Sequence, residues 1–308
     1  MSLDLKAIKK DSFDITADTA PGKYFESTTD GHKIYYRIWK PTGPIKAQAI
    51  YFHGIGEHIE RYDATFTKYA ANGILIRGMD WRGHGRTVKS NKNGIQGYAT
   101  SFEQVQVDML QLYNLDIDGV SKDLPTFVFG HSMGGLLALV FTKNHHKSLR
   151  NFRGVIAQAP ALAPGNPPPP ALKFVVRSVG KLIPKLTQPS NLDATGINSS
   201  EAEVEAYLRD PLNHGVISVE VVNDMYDAAE DLKRSAADFK FPLIMYHSSI
   251  DKLTNAAASK EYFATVGSSD KIYHQYEAEL KLGHEIHNEH SVKDSIIGEY
   301  TAWMLERA

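Results

Sequence analysis

The chain has 308 residues, 42% hydrophobic and 23% charged, the make-up of a soluble globular fold long enough for one large α/β domain carrying an insertion. Its 34 basic and 36 acidic side chains leave a formal net charge of -2, which gives no basic footprint for a nucleic-acid partner. The absence of cysteine excludes disulfides and thiolate chemistry.

Residues 1–22 read as a loose tail. The opening "MSLDLKAIKKDSFDITADTAPGK" has no apolar h-region, so no signal peptide or membrane span is expected, and a cytoplasmic location is. After it, "HKIYYRIWK" alternates weakly, and "KAQAIYFHG" and "GILIRGMD" are β-prone runs. "SFEQVQVDMLQLYNL" has helical spacing. Further β-prone runs follow at "PTFVFGHS", "RGVIAQAP", "FPLIMYHS" and "DKIYHQYE". Strands alternating with helices predict an α/β fold, with a mostly parallel central sheet and helices on both faces. Chemistry in such sheets gathers at the carboxyl ends of the strands, which singles out His53, Asp80, Ser132 and Asp251.

The alternation breaks at 161–236, read as an inserted cap (lid) that divides the core into 23–160 and 237–308. Four prolines at 167–170 make a stiff link. Leu172, Val175, Val176, Val179, Leu182 and Ile183 then recur at helical spacing, with Lys173, Arg177 and Lys181 on another face, until Pro184 ends or kinks the segment. "NSSEAEVEAYLRDP" is polar, and "SVEVVNDMYDAAEDLKRS" is helix-like.

The joint between two apolar runs, Gly130-His131-Ser132-Met133-Gly134, carries G-x-S-x-G. Glycines at both ends allow strand and helix to approach closely around a sharp turn with Ser132 at its apex, the nucleophile elbow. A serine nucleophile needs a base, an orienter for that base and donors for the oxyanion. On such a sheet the acid and then the histidine follow the serine in the chain. Asp251 stands just past the run 241–247. His284, His287 and His290 follow the last run, with His284 best placed after Gly283. The loop His53-Gly54-Ile55-Gly56 can turn the Ile55 N–H toward Ser132, and the Met133 N–H is the second donor. Each element has a plainer alternative: Asp251 as a helix N-cap, the histidines as surface residues, "HGIG" as a turn, and "DWRGHGRT" as a structural loop.

These blocks together resemble the α/β-hydrolases, and within them the monoacylglycerol lipases. The motifs are "YFHGIGEHIERY" at 51–62, "DWRGHGRT" at 80–87, "GHSMGG" at 130–135, "DPL" at 210–212 and "GHEIH" at 283–287. The resemblance covers most of the chain from about residue 23 and is weak in the cap. It implies a serine esterase with Ser132 as nucleophile, Asp251 as orienter and His284 as base, with Ile55 and Met133 in the oxyanion hole. It further implies that Glu57, Arg61, Tyr207 and His287 hold the glycerol end of a monoacylglycerol. The products are then glycerol and a fatty acid, formed through an acyl-enzyme that needs no metal or organic cofactor. Ser248 departs from the pattern, since relatives often have glycine there. The cap is expected to supply an apolar tunnel for the acyl chain, and its face at 172–183 a peripheral contact with a membrane or lipid-droplet surface. The rivals are a general carboxylesterase or lysophospholipase, and a non-catalytic lipid-binding protein on the same fold. Acyl-chain preference and oligomeric state stay open.

Overall fold

A computed structural model of the protein describes residues 8–15 and 20–308. Residues 1–7 and 16–19 of the expected tail lie outside the described residues, as do the side chains of Leu172 and Lys181. The described part of the tail is tied to the body: the Asp11 N–H donates to the Arg209 carbonyl at 2.8 Å, and the Phe13 ring lies under the Arg86 guanidinium.

The chain opens with strands β1 (Lys23–Glu26), β2 (Lys33–Trp39) and β3 (Ala47–Phe52), then helix α1 (Asp63–Ala71) and β4 (Ile74–Met79). Helices α2 (Gly85–Ser90) and α3 (Phe102–Tyr113) lead to β5 (Thr126–His131), α4 (Met133–His145) and β6 (Phe152–Gln158). The next segment holds α5 (Pro170–Leu182), β7 (Thr187–Pro189), α6 (Glu201–Arg209), β8 (Val216–Ser218) and α7 (Val219–Arg234). The chain ends with β9 (Leu243–Ser248), α8 (Ala256–Thr265), β10 (Lys271–Tyr276) and α9 (Lys293–Leu305).

Eight strands form one sheet in the order β1-β2-β4-β3-β5-β6-β9-β10, and β7 pairs with β8 apart from it. β2 is antiparallel to both neighbours, and every pairing from β4 to β10 is parallel. This is the mostly parallel sheet that the alternation predicts. The consecutive apolar residues of β5 now have a reason. Val128 faces a core built with α3, α4, α7 and α8, whereas Phe127 and Phe129 face a second core built with α1 and α9. A strand covered on both sides gains nothing from polar alternation. The α3 helix starts where its sequence directs, with the Ser101 side chain accepting the Gln104 N–H.

In the segment between β6 and β9, Pro170 opens α5 at a position that needs no N–H donor, and the helix stops at Leu182, before Pro184. The apolar stripe read at 172–183 is split here. Its members Val175, Leu182 and Ile183 point outward, 52%, 83% and 54% exposed, beside Phe174, which lies outside the stripe and is 73% exposed, while Val176 lines a cavity. Lys173 and Arg177 do not flank the outward face as free charges. Lys173 pairs with Glu230 at 2.9 Å and Arg177 with Asp227 at 2.6 Å, both on α7. The helix packs on α7 through that side, so these two cations are consumed there. Among the described residues no helix is long and apolar enough to cross a membrane.

Candidate active site

β5 delivers Ser132 into a turn that few residues accept. Its φ is +57° and ψ −123°, a strained conformation for a side chain with a Cβ. Three backbone hydrogen bonds hold it. The Ser132 N–H donates to the Gln158 carbonyl, and the Ser132 carbonyl accepts the N–H groups of Leu136 and Ala161, all at 3.0 Å. The flanking glycines are needed for space: a Cβ at Gly130 would lie 2.1 Å from the Gly134 carbonyl oxygen, and one at Gly134 2.0 Å from that of Phe52. Strand and helix therefore touch backbone to backbone, with Ser132 at the positive end of α4.

Past β9, Asp251 is held from both sides. Its Oδ1 accepts the N–H groups of Leu253 at 2.8 Å and Thr254 at 3.1 Å. Its Oδ2 lies 2.6 Å from His284 Nδ1, 3.0 Å from His247 Nε2 and 2.9 Å from Thr254 Oγ1. Burial opposes ionisation of this carboxyl, but His284 and His247 outweigh it and hold it well below the usual carboxylate range. The N-cap of α8, the alternative reading of Asp251, is filled by Asn255. Of the three histidines, only His284 meets Asp251. His290 is exposed and pairs with Glu203, and His287 is buried behind the site. The histidine loop is fastened by the segment before α6, since the N–H groups of His284 and Glu285 donate to the carbonyls of Gly196 and Ile197 at 2.9 Å. Ser248 closes the same loop from β9, its hydroxyl donating to the Leu282 carbonyl at 2.8 Å. His284 Nε2 is buried and has no protein partner among the described residues.

The loop after β3 runs against the serine. A Cβ built on Gly54 would stand 3.5 Å from Ser132 Oγ. The next amide, Ile55 N–H, and Met133 N–H at the start of α4 donate no hydrogen bond among the described residues. Two unspent amides beside Ser132 have the chemistry an oxyanion hole requires. The loop is held by Glu57, whose Oε1 accepts the Gly54 N–H at 2.5 Å, and by the His214 N–H, which donates to the Gly56 carbonyl at 2.8 Å.

Ser132 and His284 open on one cavity of about 540 Å³. Its wall has an apolar part from α5 and α7, including Val176, Val222 and Met225, and a polar part with Glu57, Tyr207 and Glu285. Among the residues expected to hold glycerol, Glu57 and Tyr207 line the wall, while Arg61 and His287 sit one layer behind it. Arg61 donates to Glu57 and Glu285 and lies 4.7 Å over the Tyr207 ring. Glu57 is itself committed, since Gly54 N–H, Arg61 and the Tyr62 hydroxyl donate to it and His131 stands 3.4 Å away. Burial opposes its ionisation, yet His131 and Arg61 hold it well below the usual range. His287 stacks on Tyr62, and burial together with the neighbouring His131 keeps its imidazole neutral at pH 7. Of these four residues, Tyr207 lines the cavity with a hydroxyl that makes no hydrogen bond among the described residues.

The remaining strand-end candidates serve the frame. Asp80 accepts the N–H groups of Ile59 and Arg86, and burial raises its carboxyl to about 6. His53 packs on Trp81, and burial lowers its imidazole to about 3. In "DWRGHGRT", Arg82 pairs with Asp108 and Asp30, so for this block the structural reading holds. Two residues of the site escaped the sequence reading. His247 is the polar end of an otherwise apolar strand run, the same signal that exposed Ser132. Glu285 stands inside the quoted "GHEIH". Among the described residues, no group of three or more His, Asp or Glu side chains is placed to hold a metal ion.

A family model described as Serine aminopeptidase, S33 (Hydrolase_4) matches residues 43–291, a span that runs from β3 past the His284 loop. The chain belongs to this family of α/β-hydrolases. An abhydrolase-domain protein of Dictyostelium discoideum is 31% identical over 284 residues, 91% of this chain, and the chain spans 28% of that protein's length. A monoacylglycerol lipase of Mycolicibacterium smegmatis is 26% identical over 276 residues, covering 89% of this chain and 94% of the lipase. The fold is shared with a soluble variant of the Saccharomyces cerevisiae monoglyceride lipase in complex with a substrate analogue. There the TM-score is 0.79 at 21% identity, with 93% of this chain and 95% of that one covered. The S33 hydrolase assignment thus agrees with the resemblance drawn from the motifs.

Proposed function

We propose that this S33 hydrolase cleaves monoacylglycerol to glycerol and a free fatty acid through an acyl-enzyme on Ser132. The observation that carries the reading is the cavity: a buried serine and histidine open on one space with an apolar wall for an acyl chain and a polar wall for an alcohol. In the reaction, His284 Nε2 takes the Ser132 proton as Oγ attacks the ester carbonyl. Asp251 keeps the His284 proton on Nδ1 and stabilises the imidazolium. The N–H groups of Ile55 and Met133 hold the oxyanion. His284 then protonates the departing glycerol oxygen and activates the water that releases the fatty acid. Residues 161–236 act as the cap over this space, and the outward side chains of Phe174, Val175 and Leu182 suit a peripheral lipid contact.

A carboxylesterase with no preference for glycerol is the second reading, favoured by the position of Arg61 and His287 behind the cavity wall. Hydrolysis of mono-, di- and triacylglycerols and of a nitrophenyl ester of the same acid separates the two. The monoacylglycerol should be the best glyceride, and Ser132→Ala should abolish both activities along with fluorophosphonate labelling. Triacylglycerol as the best substrate, or labelling of another serine, would refute the proposal.

A further inference from the structure

Glu285 follows His284 directly and lines the cavity beside Glu57 and Tyr207. Its carboxylate grips Arg61 with both oxygens, Nη1 to Oε1 at 2.6 Å and Nη2 to Oε2 at 3.1 Å. The same Nη1 also donates to Glu57. One guanidinium is therefore shared by two carboxylates. Glu57 and Glu285 both line the cavity, and Arg61 does not. The formal charge of the trio is negative, and the residues it presents to the cavity are the two acidic ones. The two lysines on the cavity wall stand elsewhere: Lys173 is paired with Glu230 on α7, and Lys252 lies by Asp193.

We infer that Glu285 sets the charge selectivity of the headgroup site, which accepts esters of a neutral polyol and rejects esters whose alcohol carries a phosphate. The inference rests on the reading that the alcohol half of the substrate lies against Glu57, Tyr207 and Glu285. A phosphate is held by N–H donors and positive charge. Here the guanidinium that could supply them is taken by two carboxylates, and an incoming phosphate meets those carboxylates first. Without Glu285, Arg61 and Glu57 form a neutral pair, and part of the guanidinium is released to the cavity side. With an effective dielectric constant of about 20 and a separation of about 6 Å, one uncompensated charge is worth roughly a hundredfold in kcat/KM.

The test compares 1-oleoylglycerol with 1-oleoylglycerol 3-phosphate, in the same detergent, for the wild type, Glu285→Gln and Glu285→Asp. The wild type should prefer the neutral ester by about a hundredfold. Glu285→Gln should narrow that ratio at least about tenfold through a gain on the phosphate ester, whereas Glu285→Asp, which keeps the charge, should retain it. A residue that merely props the loop would lower both rates together and leave the ratio alone. That result in a Glu285→Gln protein still labelled by a fluorophosphonate would overturn the inference. So would a wild type that cleaves the two esters at similar rates, a measurement that needs no variant to fold. A wild type that cleaves a nitrophenyl ester but not 1-oleoylglycerol would overturn the monoacylglycerol reading, and this inference with it.

Discussion

Replacing Asp251 with asparagine changes the charge and hydrogen-bond character of the site at almost constant volume. The two backbone N–H groups on Oδ1, from Leu253 and Thr254, fix how the new side chain must sit. Only its oxygen can face them, because an amide NH2 there would set donor against donor. The NH2 then occupies the position of Oδ2 and points at His284 Nδ1 and His247 Nε2. His284 must adopt the tautomer with a bare Nδ1, and its proton moves to Nε2, the atom that takes the Ser132 proton in the proposed mechanism. A wrong tautomer in a serine–histidine–aspartate arrangement costs about 10⁴ in kcat, or roughly 5 kcal/mol of transition-state stabilisation. Stopped-flow or burst kinetics on a nitrophenyl ester, and the rate of fluorophosphonate labelling, should both show it. Stability supplies an independent check. The folded carboxyl of Asp251 lies below its unfolded value, so its contribution is complete above the ordinary carboxylate range and is lost as pH falls through the folded value. The gap in unfolding free energy between wild type and Asp251→Asn should therefore close as pH drops below about 4. A rate loss under tenfold, or a gap that widens in acid, would refute this role.

Gly134→Ala should destabilise the fold by about 3 kcal/mol or more, since its methyl would meet the Phe52 and His53 carbonyl oxygens, which cannot yield; a loss under about 1 kcal/mol in denaturant titration would show the turn to be looser than described. Tyr207→Phe should slow a monoacylglycerol roughly 2–15-fold in kcat/KM and leave a nitrophenyl ester unchanged, because the hydroxyl has no hydrogen-bond partner among the described residues and, in the proposed site, serves the alcohol half. Equal losses on both substrates would count against a glycerol contact. Phe174→Ser combined with Leu182→Ser should weaken sedimentation with lipid vesicles by at least about tenfold, as each side chain carries about 1.5–3 kcal/mol of apolar surface. Lys173→Glu with Arg177→Glu should instead lower the melting temperature slightly through lost pairing with α7, and binding that fell with the charges rather than with the apolar residues would reverse the assignment of the outward face.

The sheet, its helices and the serine turn were legible because they rest on short-range rules. Apolar runs such as 127–129 report burial on both faces, and glycines at 130 and 134 report a backbone contact that admits no Cβ. The strands that went unread, β1, β7 and β8, have four or three residues, too few to show a period. Other questions had no local answer. Which histidine meets Asp251 depends on the carbonyls of Gly196 and Ile197, nearly ninety positions upstream, which turn His284 inward and leave His290 in solvent. Which side of α5 faces out depends on where α7 lies, so a single apolar stripe in sequence put Val176 on the cavity and Val175, Leu182 and Ile183 in solvent, while Lys173 and Arg177 became ion pairs. Arg61 and His287 stand behind the cavity wall, and Glu285 on it, because the loops after β3 and β10 pack against each other and bring two carboxylates to one guanidinium. Sequence spacing carries the period of a strand or a helix. The direction of a side chain in a loop is set by the partner it reaches, and that partner is known only once distant segments have packed.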